Sequence, residues 1–380
     1  MEPKVLITAS TYSHIKNFHL PYLRAFYDAG WEIHVACGGT PDAVYYAAQT
    51  LSLPFEKKMT SPANFRAARL LRRKMEQERY DLVICHTSLA AFFTRLAVAG
   101  VKPRPRVINM SHGYLFDDNS PAMKRFLLLT AERITARRTD LLLTMNQYDY
   151  RTAVKYRLGK QIANVPGIGV DFSRLTRLGR VEVHELRQRL NLKARDFVLV
   201  YAAEFSKRKS QSTLIQAMPL LPRNTVLLLP GDGVLRKKCM ELAKKLGVSD
   251  RVRFPGHVDK MSAWYAVADV AVTSSRSEGL PFNVMESMYM GLPVVASKVK
   301  GHEDLISNGE TGLMFPYGDY IACARQIQKL YDQPVMCQVL GENAQEQMDA
   351  YSLEQVLPIV LEHYGVPVPE EEPDEEVQPV

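Results

Sequence analysis

Two glutamates eight positions apart, Glu278 and Glu286, enclose a segment that combines hydrogen-bond acceptors with backbone donors. The segment reads Glu-Gly-Leu-Pro-Phe-Asn-Val-Met-Glu, follows a strand-like run and opens a predicted helix. A carboxylate there can accept hydrogen bonds from a vicinal diol, and the amides of Phe282 and Asn283 at the helix N-terminus can donate to an anion. The alternative is an acidic loop whose glutamates only favour the start of the helix.

A cationic pair, Arg208 and Lys209, lies within residues 203–210, just after the first strand-like run of the second half of the chain. Two such side chains can clamp a diphosphate through charge-assisted hydrogen bonds. A lone Lys-Arg-Lys run is more often a solvated surface. Ligands of doubly wound sheets bind past the carboxyl ends of the strands, so the position favours a binding role.

Three further strand ends carry weaker signals. Gly231 and Gly233 in a Pro-Gly-Asp-Gly turn let the backbone approach a ligand closely, although such pairs are often only tight turns. His112 follows a strand of the first half and can hydrogen-bond a sugar or orient a leaving group, or it is a structural histidine. Residues 10–19 are predicted as a polar loop between the first strand and the first helix. This loop has no glycine, which argues against a Gly-x-Gly-x-x-Gly dinucleotide site.

No metal or triphosphate motif accompanies these residues. The chain contains no Asp-x-Asp, so a carboxylate-bound Mg²⁺ that bridges a diphosphate is not indicated. It contains no Gly-x-x-x-x-Gly-Lys-Ser/Thr, which excludes a P-loop ATPase. Its five cysteines are scattered without a Cys-x-x-Cys, so neither a zinc site nor a disulfide framework is expected. We therefore predict a site without a metal.

The elements that position these residues alternate between short apolar strands and amphipathic helices in two series. In the first series the strands are predicted at 4–9, 32–37, 81–86, 106–110 and 140–145, with helices at 18–29, 64–79, 90–100 and 123–138. In the second series the strands are predicted at 197–202, 226–229, 252–254, 270–274, 293–296 and 312–315, with helices at 211–221, 234–246, 261–268, 283–290 and 319–332. Such alternation predicts α/β architecture with two doubly wound parallel sheets.

Charge is unevenly distributed along the 380 residues. Residues 1–160 carry 24 Lys and Arg against 13 Asp and Glu, whereas the tail 366–380 has six acids and no base. A basic first half favours an anionic partner, either nucleic acid or an anionic membrane surface. We find no apolar run near the roughly 18 residues that a membrane span needs. The first residues do not form a secretory signal, so we expect a cytoplasmic location.

Two predicted helices of the first half concentrate the bases. Their basic side chains are Arg66, Arg69, Arg72, Arg73 and Lys74 in the first helix and Lys124, Arg125, Arg133, Arg137 and Arg138 in the second. Basic amphipathic helices can lie against anionic lipid. The alternative is a solvated face above an ordinary core stripe.

The motifs together resemble glycosyltransferase family 4, which has the GT-B fold. The E-x7-E pattern of that family matches Glu278 to Glu286, and the similarity continues through residues 287–296, 301–306 and 308–313. It covers residue 1 to about residue 365 and is closest to the bacterial capsular and exopolysaccharide branch.

The resemblance implies two Rossmann-like domains that face a central cleft, with a C-terminal helix that returns to the N-terminal domain. The expected parts are an acceptor-binding domain at 1–166, a nucleotide-sugar-binding domain at 167–350, a crossover helix at 351–365 and an acidic, disordered tail at 366–380. A Gly- and Pro-containing segment at 164–171 supports the first boundary.

The resemblance also implies an activity: a retaining, metal-independent transfer of a sugar from a nucleotide-diphosphate sugar, by preference a UDP-sugar. No cofactor is expected. The implied acceptor is a glycan or a lipid-linked sugar of surface polysaccharide synthesis, with an anionic membrane surface as a further partner and no nucleic acid. Two alternatives stay open, a nucleotide-sugar epimerase of the same fold and a non-catalytic nucleotide-sugar-binding protein.

Family roles can be carried over only to matching positions. By resemblance, Glu286 holds the nucleotide ribose, and Arg208 with Lys209 neutralises the diphosphate. Glu278 holds the donor sugar together with the loop residues Gly279, Leu280, Pro281, Phe282 and Asn283. His112 is expected beside the donor sugar. We expect His112, Arg208, Lys209 and Glu278 to be the catalytic residues.

Overall fold

A parallel β-sheet lies at the centre of each of the two units into which the chain divides. The computed structural model describes residues 2–368. The first unit takes the chain up to Ile168 and again from Glu354 onward, and the second unit is Gly169–Leu353. Most of the predicted acidic tail, residues 369–380, lies outside the described residues.

The strands and helices alternate along the chain as the two series predicted. The strands are β1 (Lys4–Ala9), β2 (Glu32–Gly38), β3 (Gln49–Leu53), β4 (Leu82–His86), β5 (Arg106–Ser111), β6 (Leu141–Thr144), β7 (Gln161–Asn164), β8 (Phe197–Val200), β9 (Thr225–Pro230), β10 (Val252–Gly256), β11 (Val270–Thr273), β12 (Val294–Ser297) and β13 (Gly312–Phe315). The helices are α1 (Tyr12–Phe18), α2 (Leu20–Asp28), α3 (Pro62–Glu78), α4 (Ser88–Ala97), α5 (Ala122–Ala136), α6 (Gln147–Tyr156), α7 (Arg180–Arg189), α8 (Gln211–Ala217), α9 (Arg236–Lys245), α10 (Met261–Ala266), α11 (Phe282–Tyr289), α12 (His302–Leu305), α13 (Tyr320–Asp332), α14 (Pro334–Gln347) and α15 (Leu353–Tyr364).

The sheet of the first unit has seven parallel strands in the order β3-β2-β1-β4-β5-β6-β7. The order reverses beside β1, so the gap between the ends of β1 and β4 is the switch point where such sheets bind ligands. The sequence analysis missed β3 and β7, the two edge strands. Both are only partly buried, so they lack the apolar runs by which the central strands are recognised.

The segment at residues 10–19 was expected to be a loop, and this prediction is wrong. Its residues Tyr12–Phe18 form α1, and α2 begins at Leu20 after a one-residue junction at His19. Thr11 starts α1, because its hydroxyl accepts a hydrogen bond from the backbone N–H of His14. The segment was taken for a loop because most of its residues are polar, although Thr11 caps a helix there.

The sheet of the second unit has six parallel strands in the order β10-β9-β8-β11-β12-β13. Its switch point lies between β8 and β11. Apolar clusters cover both faces of this sheet, with Leu199 and Leu227 on one face and Val198 and Val226 on the other. The structure confirms the predicted pair of doubly wound parallel sheets.

The last helix, α15, packs in the first unit, as the expected return of the C-terminal helix requires. Arg106 of β5 donates through Nη1 to the carbonyl oxygen of Tyr364 at 3.2 Å and through Nη2 to that of His363 at 3.0 Å. The Tyr364 ring stacks on Phe26, with ring centroids 6.0 Å apart. The chain thus leaves the second unit at Leu353, and α15 packs beside α2 and β5 of the first unit.

A buried ion pair joins two helices on one face of the first sheet. Nη2 of Arg95 on α4 lies 2.9 Å from Oε2 of Glu132 on α5. The Nε atom of Arg95 also donates to the carbonyl oxygen of Ala91 at 3.0 Å. Removing one partner would leave an uncompensated charge in the interior, which is far more costly than losing a surface pair.

We predict that Glu132→Gln lowers the free energy of unfolding of the first unit by about 3–5 kcal/mol, because the Arg95 guanidinium loses its buried counter-ion. Urea unfolding followed by Trp31 fluorescence in a Trp264→Phe background reports this unit, since the chain has only these two tryptophans. The matched control is Asp28→Asn in the same unit, whose partner Arg24 in a helical i,i+4 pair is 67% exposed. Equal urea midpoints for the two variants would contradict the prediction.

Candidate functional site

The side chain of Glu278 is the centre of the site in the second unit. It is buried, 6% exposed, in the loop between β11 and α11. Nζ of Lys209 donates to its Oε1 at 2.6 Å, and Nη1 of Arg208 donates to its Oε2 at 2.5 Å. The structure therefore brings three of the four predicted catalytic residues into direct contact at the switch point of the sheet.

The three charges hold one another in their ionised forms. Burial alone raises the pKa of Glu278, but the neighbouring Lys209 and Arg208 outweigh it and lower that pKa to about 2. Burial lowers the pKa of Lys209, and the attraction of Glu278 opposes this shift. One carboxylate between two cations leaves a net charge of +1. This surplus suits an anionic ligand.

Main-chain contacts tie the loop after β8 to the loop after β11. The Tyr201 hydroxyl donates to the carbonyl oxygen of Lys209 at 3.2 Å and also contacts Oγ of Ser275 at 2.7 Å. Oγ of Ser274 donates to the carbonyl oxygen of Ser210 at 2.9 Å. Because both loops are pinned at several points, the side chains of Arg208, Lys209 and Glu278 are held in place before any ligand binds.

His302 and Gly301 form the wall behind the carboxylate, and the sequence analysis gave neither a role. Gly301 has φ +81°, and a Cβ there would lie 2.6 Å from the carbonyl oxygen of Gly279 and 3.0 Å from Glu278 Cβ. His302 is fully buried and donates from Nδ1 to the carbonyl oxygen of Ser297 at 2.8 Å. Burial lowers its pKa, so the imidazole is neutral.

Glu286 occupies a different environment one helix turn inside α11. Its Oε2 accepts a hydrogen bond from the Tyr265 hydroxyl at 3.0 Å. Burial raises the pKa of Glu286, and the tyrosine hydrogen bond partly offsets the rise. The two glutamates of the E-x7-E pattern therefore differ, since Glu278 is balanced by cations and Glu286 by one hydroxyl donor. Glu286 keeps acceptor capacity for a further hydroxyl ligand.

The segment Gly279–Asn283 leads from Glu278 into α11, which begins at Phe282 with Pro281 as its N-cap residue. The backbone at the start of α11 therefore faces the predicted direction, toward the carboxyl edge of the sheet. Whether Leu280 and its neighbours contact a ligand stays a prediction.

The turn with Gly231 and Gly233 packs against the loop that carries the cations. Gly231 has φ +134°, and a Cβ there would lie 2.2 Å from the carbonyl oxygen of Ala203. Gly233 has φ +147°, and a Cβ there would lie 2.6 Å from the carbonyl oxygen of Phe205. The structure gives these glycines a packing reason. Their predicted contact with a ligand stays a prediction.

His112 lies in the first unit, directly after β5, within a group of four histidines that we call the imidazole cluster. The cluster consists of His14, His19, His86 and His112, and one ring nitrogen of each lies within 4.8 Å of the others. From the sequence alone only His112 was proposed for the site. The other three histidines could have been found from their positions, because His14 and His19 follow β1 and His86 ends β4, and β1, β4 and β5 are consecutive in the sheet.

The described residues include no helix that is both long and apolar enough to cross a membrane.

Comparison with known proteins places both units in one family. The model described as "Glycosyltransferase Family 4" matches residues 22–174, and the model described as "Glycosyl transferases group 1" matches residues 182–347. A protein of Bacillus subtilis (strain 168), EpsD, which is named as a glycosyltransferase, is 34% identical over 351 residues, covering 91% of this chain and 92% of EpsD.

Solved structures share the fold across nearly the whole chain. A sucrose-phosphate synthase of Thermosynechococcus elongatus superposes with a TM-score of 0.80 at 20% identity, covering 96% of this chain and 98% of that one. Anabaena HepE, in complex with UDP and glucose, superposes with a TM-score of 0.76 at 18% identity, covering 96% and 100%. The two glycosyltransferase family models and the 34% identity to EpsD support a transferase rather than the epimerase or the non-catalytic protein. The chain is a glycosyltransferase with the GT-B fold and belongs to glycosyltransferase family 4.

Proposed function

We propose that the second unit binds a nucleotide-diphosphate sugar, by preference a UDP-sugar, at Glu278, Arg208 and Lys209. The observation that carries this proposal is the buried carboxylate with two cations at the switch point of the sheet. Its surplus positive charge attracts a diphosphate, and the carboxylate can accept hydrogen bonds from hydroxyls of the sugar. The complex of Anabaena HepE with UDP and glucose supports the choice of nucleotide.

Glu286 supplies the second part of the donor site. Its partly buried carboxylate sits in the first turns of α11, with one oxygen held by Tyr265. A ribose offers two adjacent hydroxyl donors, which a carboxylate can accept together. We assign the ribose to Glu286 and the transferred sugar to Glu278.

The transfer step is mainly electrostatic. When the anomeric C–O bond breaks, its electron pair leaves with the diphosphate, and positive charge develops on the sugar. Arg208 and Lys209 stabilise the leaving diphosphate, so no metal is required for this purpose. The hydroxyl of the acceptor attacks the same face of the sugar and passes its proton to the leaving phosphate oxygen. Configuration at the anomeric carbon is then retained.

The first unit docks on an anionic bilayer surface near the acceptor, mainly through helix α5. Met123, Phe126, Leu127 and Ile134 of α5 are 69%, 64%, 59% and 54% exposed. These positions recur at helical spacing and form one apolar stripe. The bases Lys124 and Arg133 flank the stripe. An exposed apolar stripe with basic neighbours suits the headgroup region of anionic lipid.

Helix α3 extends the same face of the first unit, because α4 packs between α3 and α5. Phe65 and Leu70 of α3 are 48% and 41% exposed, and Arg66 and Arg69 beside them are exposed. Both helices thus carry exposed apolar side chains next to exposed bases. We propose that these helices hold the enzyme on a cytoplasmic membrane face near a lipid-linked sugar acceptor.

We predict that Lys209→Ala lowers turnover of a UDP-sugar at least about 100-fold, because the leaving diphosphate loses a preorganised cation. Initial rates with UDP-, GDP- and ADP-sugars measure this effect and identify the nucleotide base of the donor. The matched control is Lys207→Ala, whose side chain lies two positions away and is exposed. Circular dichroism checks that both variants fold. Unchanged turnover in folded Lys209→Ala would refute the assignment.

We predict that Glu286→Gln weakens UDP binding about 10- to 100-fold, because the charge of the ribose acceptor is removed. Isothermal titration with UDP measures the dissociation constant. Glu346→Gln on α14 is the control, since Glu346 is exposed in the same unit. If both variants bound UDP as tightly as the wild type, Glu286 would not be the ribose ligand.

We predict that the double variant Phe126→Ser/Leu127→Ser binds anionic vesicles at least about tenfold more weakly, because two apolar side chains no longer enter the bilayer. Co-sedimentation with phosphatidylglycerol vesicles measures the binding, with phosphatidylcholine vesicles for comparison. Val335→Ser is the control, since Val335 is 76% exposed in the second unit. Equal binding of the wild type to both kinds of vesicle would contradict the electrostatic contribution.

A further inference from the structure

The imidazole cluster of the first unit has the geometry of a ligand set. The Nε2 atoms of His14 and His19 are 3.2 Å apart, and Nδ1 of His86 lies 3.1 Å from Nε2 of His112. The His14 and His112 rings meet edge to face at 4.7 Å, and the His19 and His86 rings lie 3.9 Å apart. Across the whole cluster, one ring nitrogen of each histidine lies within 4.8 Å of the others.

The fold holds these histidines at the switch point of the first sheet. His86 ends β4 and His112 follows β5, while His14 and His19 follow β1 in α1 and its junction with α2. The ends of β1 and β4 are joined, because the Ser10 and Thr87 hydroxyls lie 2.7 Å apart. The cluster thus occupies the place where a doubly wound sheet binds ligands.

The four imidazoles are shielded from solvent. His19 and His86 are buried, and His14 and His112 are half-buried. No carboxylate or thiol belongs to the cluster among residues 2–368. Neutral imidazole is the form that coordinates transition metals.

We propose that His14, His19, His86 and His112 bind one divalent transition-metal ion of the zinc class. Zn–N bonds of 2.0–2.1 Å place the nitrogens of a tetrahedral site about 3.4 Å apart. The 3.1 and 3.2 Å pairs are already close to that spacing, and the 4.8 Å limit for the whole set means that metal binding requires only a short inward movement of the rings. Four imidazoles without an oxygen ligand suit Zn²⁺, Co²⁺, Ni²⁺ or Cu²⁺ rather than Mg²⁺ or Ca²⁺.

Four protein ligands close the coordination sphere, so the ion has a structural role and leaves no position for a substrate. It joins α1, the α1–α2 junction and the ends of β4 and β5. The diphosphate charge is still balanced by Arg208 and Lys209 in the other unit.

A second group of potential metal ligands in the first unit differs from the imidazole cluster, because a lysine already occupies it. Glu32, His34 and Glu78 also lie close together in the first unit. Lys4 fills this group, because its Nζ lies 2.9 Å from Glu32 and 3.0 Å from Glu78. An ammonium already balances these carboxylates, so the group needs no ion. The imidazole cluster contains no such internal cation.

Metal binding can be measured directly on the tag-free full chain after treatment with a chelator. We expect Zn²⁺ alone to bind with a stoichiometry of one per chain and to raise the melting temperature. Co²⁺ alone should give the intense visible absorption of a tetrahedral nitrogen site. This spectrum tests the wild type without any substitution. Absence of both one-to-one Zn²⁺ binding and the Co²⁺ spectrum would overturn the proposal.

Variants locate the ion. We expect His14→Gln and His112→Gln each to weaken Zn²⁺ binding at least about tenfold, because even the loss of an outer-shell partner costs 10- to 100-fold. His184→Gln is the matched control, since His184 is exposed on α7 in the second unit. Equal Zn²⁺ affinity in wild type and folded His14→Gln would place the ion elsewhere and overturn the assignment.

Discussion

The buried carboxylate of Glu278 between two cations is the interaction on which the binding edge of the second unit depends. An ion removed from water loses several kcal/mol of hydration, and only close counter-ions and hydrogen bonds compensate for this loss. Lys209 and Arg208 supply both, one to each carboxylate oxygen. Two cations face one carboxylate, so the negative charge of Glu278 is fully balanced and one positive charge remains. The surplus charge is available to a ligand and is already oriented when the ligand arrives.

The need to place Glu278 next to Lys209 and Arg208 also explains the backbone arrangement around them. A carboxylate that must meet a lysine and an arginine from another strand requires two loops at fixed separation. Tyr201 and Ser274 fix that separation: the Tyr201 hydroxyl contacts Oγ of Ser275, and Oγ of Ser274 donates to the carbonyl oxygen of Ser210. Gly301 lets the next loop approach the backbone of Gly279 where any side chain would collide. The glycine and the hydroxyl side chains therefore hold the charged side chains in place.

The sequence predicted the central strands because both of their faces are buried, which produces short runs of Val, Leu and Ile. It did not predict the edge strands β3 and β7, since partial exposure removes that signal. The prediction of a loop in place of α1 was wrong, because polar residues such as Ser13 and Lys16 dominate this short helix. Amphipathic patterns of seven residues are too short to show a helical period, and the cap at Thr11 was the stronger signal.

The site was predictable as a set of positions but not as a set of contacts. Lys209 and Glu278 each follow a strand of the same sheet, and this placement was visible in the sequence. Their ion pair joins residues 69 positions apart, and no local pattern encodes which cation meets which carboxylate.

The imidazole cluster was also not predictable from local patterns, because its members are far apart along the chain. A single histidine after a strand is ambiguous, and His112 was judged alone, although His14 and His86 follow strands that flank the same switch point. Parallel strands bring their carboxyl ends to one edge, so like residues after neighbouring strands are candidates for one cluster, whatever their separation along the chain.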